Sequence, residues 1–205
     1  MYTPSFNQIQ DRALLIEGMR TWSFAALFGP GEDGRPTATH LPLVIADEGE
    51  HGTLEGHFAR ANPHWKSLAS RETLVVFAGP HSYVSPSLYN NPQSVPTWNY
   101  IAIHATGTLE LVEDSEGKEL LLNHLMAVHE PAFAEQWRSQ PEAYRASMLK
   151  NIVGFRIPIT HIEGKFKLSQ NRPDADRRNV QAAHAAGTPD EQALAAWMQR
   201  LDPIS

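Results

Sequence analysis

Apolar positions along this chain follow two periods, and the shorter one dominates. Between residues 97 and 112 the odd positions Ile101, Ile103, Ala105, Leu109 and Leu111 form a core face, while Trp98, Tyr100, His104, Thr106 and Thr108 form a second, aromatic and polar face. Runs rich in β-formers predict further strands at 22–28, 37–46, 53–58, 73–78 and 152–168. The loops Gly29-Pro30-Gly31-Glu32-Asp33-Gly34 and Asp47-Glu48-Gly49-Glu50 carry hairpin chemistry, so the pairing is expected to be antiparallel.

Helical spacing marks the rest. Ile9, Ala13, Leu14 and Ile16 predict a first helix capped by Asn7 and ending before Gly18, and Asn62-Pro63 starts a short second one. A helical insertion at about 114–151 opens on Asp114 and Ser115, carries Leu121, Leu122, Leu125, Met126 and Val128, stops at Pro131, and continues in a piece holding Phe133 and Trp137. Two more helices are expected at 174–186 and 190–201, around Gly187-Thr188-Pro189. The fold class predicted is mainly β with peripheral helices (α+β), built on an antiparallel barrel of six or more strands. One domain is expected over residues 1–172, with 173–205 as a helical extension packed on it.

Composition narrows the function classes. With 41% hydrophobic and 20% charged residues the chain is an ordinary globular one, and the absence of cysteine removes disulfides, iron–sulfur clusters, thiolate zinc and a cysteine nucleophile. Neither a signal sequence nor a membrane-spanning run is visible, so the expected compartment is the cytoplasm, without a membrane partner. A net charge of −6 repels nucleic acid as a whole, and the basic cluster Lys165, Lys167, Arg172, Arg177 and Arg178 suits one phosphate better than a duplex.

Candidate chemistry concentrates in four places. The last strand ends in Lys165-Phe166-Lys167-Leu168-Ser169-Gln170-Asn171-Arg172, a dense array of donors for a polar or phosphorylated ligand. Thr37 to Leu43 is a strand broken by Pro42, and residues 56–65 run from a strand end into a helix start, where Arg60 adds an anion-binding fork. Trp98 and Tyr100 on one strand face call for a cover: a partner subunit, a flat ligand or a helix of the same chain. The ten histidines lack H-x-H or H-x-x-x-H spacing, so no metal is expected; a Gly-x-Ser-x-Gly elbow and a dinucleotide-binding glycine loop are also missing. Helix 190–201 opens with acid, which argues against a DNA-reading helix.

Several strings together resemble the PaiB family of FMN-binding negative transcriptional regulators. They are Ala38-Thr39-His40-Leu41-Pro42-Leu43, Gly56-His57 through Asn62-Pro63, Gly79-Pro80-His81-Ser82-Tyr83-Val84-Ser85, Val95-Pro96-Thr97-Trp98-Asn99-Tyr100 and Lys167-Leu168-Ser169-Gln170-Asn171-Arg172. The resemblance runs to about Arg178; Leu88 and His64 depart from the residues usual in the family. It implies a split β-barrel similar to pyridoxamine phosphate oxidases, a homodimer, and FMN as cofactor in sites lined by both chains. By that resemblance Thr39, His40 and Leu41 meet the flavin ring edge, and Gly56, His57, Arg60, Ala61, Asn62 and Pro63 the phosphate and ribityl side. Asn99 and Tyr100 border the ring, and Lys167, Ser169, Gln170, Asn171 and Arg172 close the site. Two functions follow: a flavin-binding regulator, whose family name admits DNA as a partner although the charge does not support it, or an FMN-dependent oxidoreductase using NAD(P)H, with His81, Tyr83 or Tyr100 as proton donor.

Overall fold

A computed structural model describes residues 1–201. In chain order the elements are β1 (Gln8–Ile9), α1 (Arg12–Thr21), β2 (Phe24–Pro30), β3 (Pro36–Pro42), β4 (Val44–Ala46), β5 (Thr53–Ala59), α2 (His64–Leu68) and β6 (Glu72–Val84), followed by β7 (Thr97–Thr108), β8 (Glu110–Val112), α3 (Ser115–His129), α4 (Phe133–Ser139), α5 (Glu142–Lys150), β9 (Ile152–Lys167), α6 (Asp174–Ala185) and α7 (Pro189–Leu201). Among the described residues the strands form one antiparallel, nine-stranded sheet of order β3-β2-β6-β7-β9-β5-β4, with β1 and β8 also on β9. The sheet is not closed, and with its peripheral helices the fold is mainly antiparallel β in the α+β class, as expected.

Most elements lie where periodicity puts them, and the differences have local causes. The first helix starts at Arg12 and runs through Gly18; Asn7 sits in a short 3₁₀ turn, and Ile9 pairs with Gly164 because strand pairing overrides its helical spacing. Proline splits the expected strand 37–46 into β3 and β4, and β6 extends to Val84. The insertion contains a third helix, α5, as well as the two expected. Asp114 caps α3 by accepting from Gly117 N (2.7 Å).

The chain divides into two compact units, and β6, β7 and β9 contribute residues to each. The larger comprises Arg12–Phe77 and His104–Ile162. Its core holds Leu27, Leu43, Leu54, Phe58, Phe77, Leu109 and Phe155, all fully buried, with Phe58 and Phe155 ring centroids 4.9 Å apart. Gly56 lies inside this packing: a Cβ there would stand 2.7 Å from Leu43 Cδ2 and 2.9 Å from Phe155 Cζ. Buried Glu55 on β5 forms an ion pair between its Oε1 and Arg156 Nη2 (2.9 Å) and accepts a hydrogen bond from His124 Nδ1 at Oε2 (2.5 Å), the latter tying α3 to the sheet.

The smaller unit comprises Met1–Asp11, Ala78–Ile103 and the chain from Glu163 onward. Val84, Ile101, Ile103, Phe166, Leu168, Val180, Leu194 and Met198 are among its buried apolar groups, and Phe166 meets Trp197 edge-on at 5.2 Å. Along β7 the predicted alternation places Ile101, Ile103 and Ala105 in the core and leaves Trp98 52% exposed; Leu109 is buried just past the strand, and Leu111, expected on the same face, is half-buried on β8.

Glu55→Ala leaves Arg156 and His124 without their shared carboxylate. Both are partly exposed and regain water, so the expected loss is about 2 kcal/mol. A urea midpoint equal to wild type would contradict this role.

Candidate functional site

The sequence-predicted residues fall into two groups, one in each unit. In the larger unit, β3 and the start of α2 bring Thr39, Asn62 and His64 together. Asn62 Nδ2 donates to Thr39 Oγ1 (3.3 Å), which directs the threonine hydroxyl at His64 Nδ1 (2.9 Å), while Asn62 Oδ1 accepts from His64 N (3.0 Å). His64 is buried, and burial holds its imidazole below the ordinary range against an opposing effect of the Gly29 carbonyl. His40 is exposed and stacks on Phe24 at 6.2 Å, Leu41 is half-buried, and Ala61 and Pro63 face solvent. His57 is half-buried, and burial lowers its pKa. The helix after Pro63 has only five residues, so its dipole is that of little more than one turn. A groove of about 460 Å³ beside it is lined by Glu32 and Asp33 as well as Thr37, Asn62 and His64.

Arg60 has a task within the fold. Its Nε donates to Lys150 O (2.8 Å) and its Nη2 to Ile152 O (3.0 Å), while its backbone N donates to Asn151 O (2.8 Å). The guanidinium therefore closes the carbonyl end of α5, where a cation is favoured.

In the smaller unit the end of β9 lies against β7. Lys167 Nζ donates to Thr97 Oγ1 (2.6 Å) and Trp98 O (2.5 Å). Lys165 Nζ donates to Tyr2 O (2.9 Å) and lies 5.6 Å and 5.3 Å from the ring centroids of Tyr2 and Tyr100. Arg172 stacks on Tyr89 at 4.1 Å. Burial holds the Lys167 ammonium below the ordinary lysine range, and the charges of Lys165 and Arg172 push it the same way. An anion arriving here relieves that repulsion. Of the five basic residues near this strand end, Arg177 pairs with Asp174 (3.3 Å).

The remaining predicted residues here shape the turn. Gln170 clamps its own loop, accepting from Leu168 N (2.7 Å) and donating to Phe166 O (2.5 Å). Ser169 adopts a left-handed φ of 65°, and its Oγ donates to Asn99 Oδ1 (3.1 Å); Asn99 is fully buried and Asn171 exposed. An apolar concavity of about 480 Å³ adjoins the cations, lined by Ala78, Gly79, His81, Trp98, Tyr100 and Ile101. Trp98 and Tyr100 belong to both features: their side chains line the concavity, while the Trp98 carbonyl and the Tyr100 ring hold the two ammoniums. Flat apolar walls bordered by cations fit an aromatic ring system bearing an anionic group.

Sequence reasoning missed three participants. Tyr2 reaches Lys165 across 163 positions, a pairing without local signal. His184 and Glu191 also enter, and Glu191 did carry a signal: Thr188-x-x-Glu191 is a capping box with proline at the first helical position.

Comparison with known proteins places the chain. A family model described as "Putative FMN-binding domain" matches residues 1–161. The Bacillus subtilis "Protease synthase and sporulation protein PAI 2" is 36% identical over 185 residues, covering 88% of this chain and 87% of that one. An uncharacterized protein of Emericella nidulans, AN0679, is 31% identical over 182 residues, with 70% and 72% covered. Among solved structures, the FAD and heme binding protein from Mycobacterium smegmatis has TM-score 0.64 at 17% identity, over 89% of this chain and 81% of that one. The flavocytochrome Anf3 from Azotobacter vinelandii has TM-score 0.60 at 16% identity, over 78% and 69%. At such identities the structures show likeness of fold alone. The chain belongs to the PaiB-type FMN-binding family, and its cofactor is a flavin.

Arg60→Ala is expected to lower the stability of the flavin-free protein by about 1 kcal/mol, because the Lys150 carbonyl at the end of α5 and the Ile152 carbonyl at the start of β9 lose an exposed cationic donor. Thermal melting without ligand checks this; a melting temperature equal to wild type would leave Arg60 free for another role.

Proposed function

We propose that this protein is an FMN-binding homodimeric regulator of the PaiB type, in which the flavin is a sensed or structural ligand. The observation that carries the reading is the pairing of the Trp98–Tyr100 concavity with Lys165 and Lys167, joined to membership of an FMN-binding family. Lys167 and Arg172 would meet the anionic part of the ligand, Trp98 and Tyr100 its flat part, and Ser169 would shape the turn between the two cations. Thr39, His40, Leu41, Gly56, His57, Arg60, Ala61, Asn62 and Pro63 stand as the proposed second lining, of which Thr39 and Asn62 are already ordered by mutual bonds. Gly56 contributes by packing and Arg60 by closing α5.

The exposed Trp98, at 52%, and Tyr83, at 49%, support a homodimer, since two large aromatic groups 6.1 Å apart on one surface gain from being covered. DNA is a weaker partner: the net charge of −6 favours regulation through another protein or through flavin occupancy. Among the described residues no helix is long and apolar enough to cross a membrane. The cytoplasm is the proposed setting, where reducing conditions suit a chain without cysteine.

A second reading, an FMN-dependent oxidoreductase using NAD(P)H, is favoured by His81 and Trp98, which line the concavity, and by Tyr83, whose ring lies 6.1 Å from that of Trp98. A bound flavin supplies redox chemistry. His81, 3.7 Å from the Asp190 carboxylate, would hold a proton at Nδ1, and Tyr83 or Tyr100 would hold one at the phenol oxygen.

Titration with FMN is expected to quench flavin fluorescence, and Lys167→Ala to weaken affinity about tenfold. Affinity should fall as pH rises through the lowered pKa of Lys167, because the anion favours the protonated ammonium. Colourless protein without quenching overturns both readings. Anaerobic bleaching by NADH or NADPH with turnover selects the enzyme; a bound flavin that neither cofactor reduces selects the regulator.

A further inference from the structure

The smaller unit contains a polar chain, half-exposed at Glu191 and Ser82 and buried at His184, Asn99 and Ser169, that leads from α6 and α7 to the turn between Lys167 and Arg172. It begins at Glu191, whose Oε2 accepts from Thr188 N (2.7 Å) and Thr188 Oγ1 (2.9 Å) in the capping box. That box fixes the carboxylate, so the other oxygen is aimed: Oε1 accepts from Ser82 Oγ (2.9 Å) and lies 3.9 Å from His184 Nδ1. His184 is 2% exposed, and its Nε2 stands 3.4 Å from Asn99 Nδ2. Asn99, fully buried, accepts from Ser169 Oγ at Oδ1 (3.1 Å).

The protons can be placed by elimination. Burial holds His184 below the ordinary imidazole range against the opposing charge of Glu191, so it carries a single proton. The carboxylate, 3.9 Å away, favours that proton on Nδ1 electrostatically, which leaves Nε2 as acceptor. Asn99 must then present its NH₂ to His184 and its carbonyl to Ser169. Ser169, at φ 65°, also accepts from Arg172 N at its carbonyl (3.0 Å). A non-glycine residue in the left-handed region persists only where its surroundings hold it.

We propose that His184 is a positioning residue: through Asn99 it holds Ser169 in the left-handed turn, and so fixes where Lys167 and Arg172 present their charge to an anionic ligand. The ligand in this statement rests on the flavin reading; the brace is a property of the ligand-free chain. His184 and Glu191 lie beyond both residue 161, where the family model's match ends, and about Arg178, where the resemblance ends, so the brace gives the later part of α6 and the start of α7 a role that neither assigns.

Two measurements on the full chain decide it. In the ligand-free protein, amide hydrogen exchange over residues 168–172 is expected to rise about tenfold in His184→Ala and His184→Asn. His184→Gln, whose side-chain amide reaches the place of Nε2, restores the wild-type rate. Unchanged exchange in His184→Ala, or loss in all three variants alike, overturns the brace. In FMN titrations His184→Ala is expected to weaken binding about tenfold in the wild-type background and less than twofold in a Lys167→Ala background, since a residue acting through Lys167 has nothing left to position. Fully additive losses overturn the positioning role. If wild-type protein binds no FMN, the flavin reading fails, and the exchange measurement alone decides the brace. If His184→Ala does not fold, Ser169→Ala, which removes only the last hydroxyl, takes its place in both measurements.

Discussion

Lys167 is held half-buried by two oxygens of β7, Thr97 Oγ1 and Trp98 O, with Lys165 and Arg172 as neighbours that make its charge costlier. A lysine in that position is tolerable because two acceptors replace part of its lost water. The arrangement fixes the register between the end of β9 and the start of β7, and it puts Trp98 and Tyr100 beside the cations. The apolar concavity follows from that register, because alternation along β7 turns Ile101 and Ile103 into the core and leaves Trp98 outside. The surplus of positive charge follows as well, and a bound anion would offset it.

The larger unit solves a different problem. Thr39, Asn62 and the Nδ1 side of His64 bond one another and Arg60 bonds the carbonyls around the end of α5, while His64 Nε2 stays buried without a hydrogen-bond partner. Sequence resemblance assigns several of these residues to a ligand, while their geometry gives each a structural task. The two roles are compatible for Thr39 and Asn62, since ordered side chains recognise a ligand at less entropic cost.

Much of the fold was legible because strands and helices advertise their periods. Asp114 announced the cap of α3, Pro42 the break after β3, and Thr97 to Thr108 their two faces. Ile9 misled, since its helical spacing with Ala13 and Ile16 says nothing about Gly164, its partner 155 positions away by number. The site was less legible for the same reason. The run from Lys165 to Arg172 stood out as rich in donors, but which cations converge depends on Arg177 being taken by Asp174 and on Tyr2 arriving from the other end of the chain. Asn99 sat in a recognisable string, yet its burial and its bond to Ser169 exist only in three dimensions. Gln170 illustrates the reverse, since a residue that looks like a ligand donor spends its amide on its own turn.

The central claim is that the anion-binding half of the flavin site is where the end of β9 meets the start of β7. Amide hydrogen exchange of the full chain with and without saturating FMN tests it most directly, because it reports where the ligand sits without altering any residue. The account predicts slowed exchange over residues 97–102 and 165–172 on addition of FMN. Slowing confined to residues 39–63, with 165–172 unaffected, would contradict it.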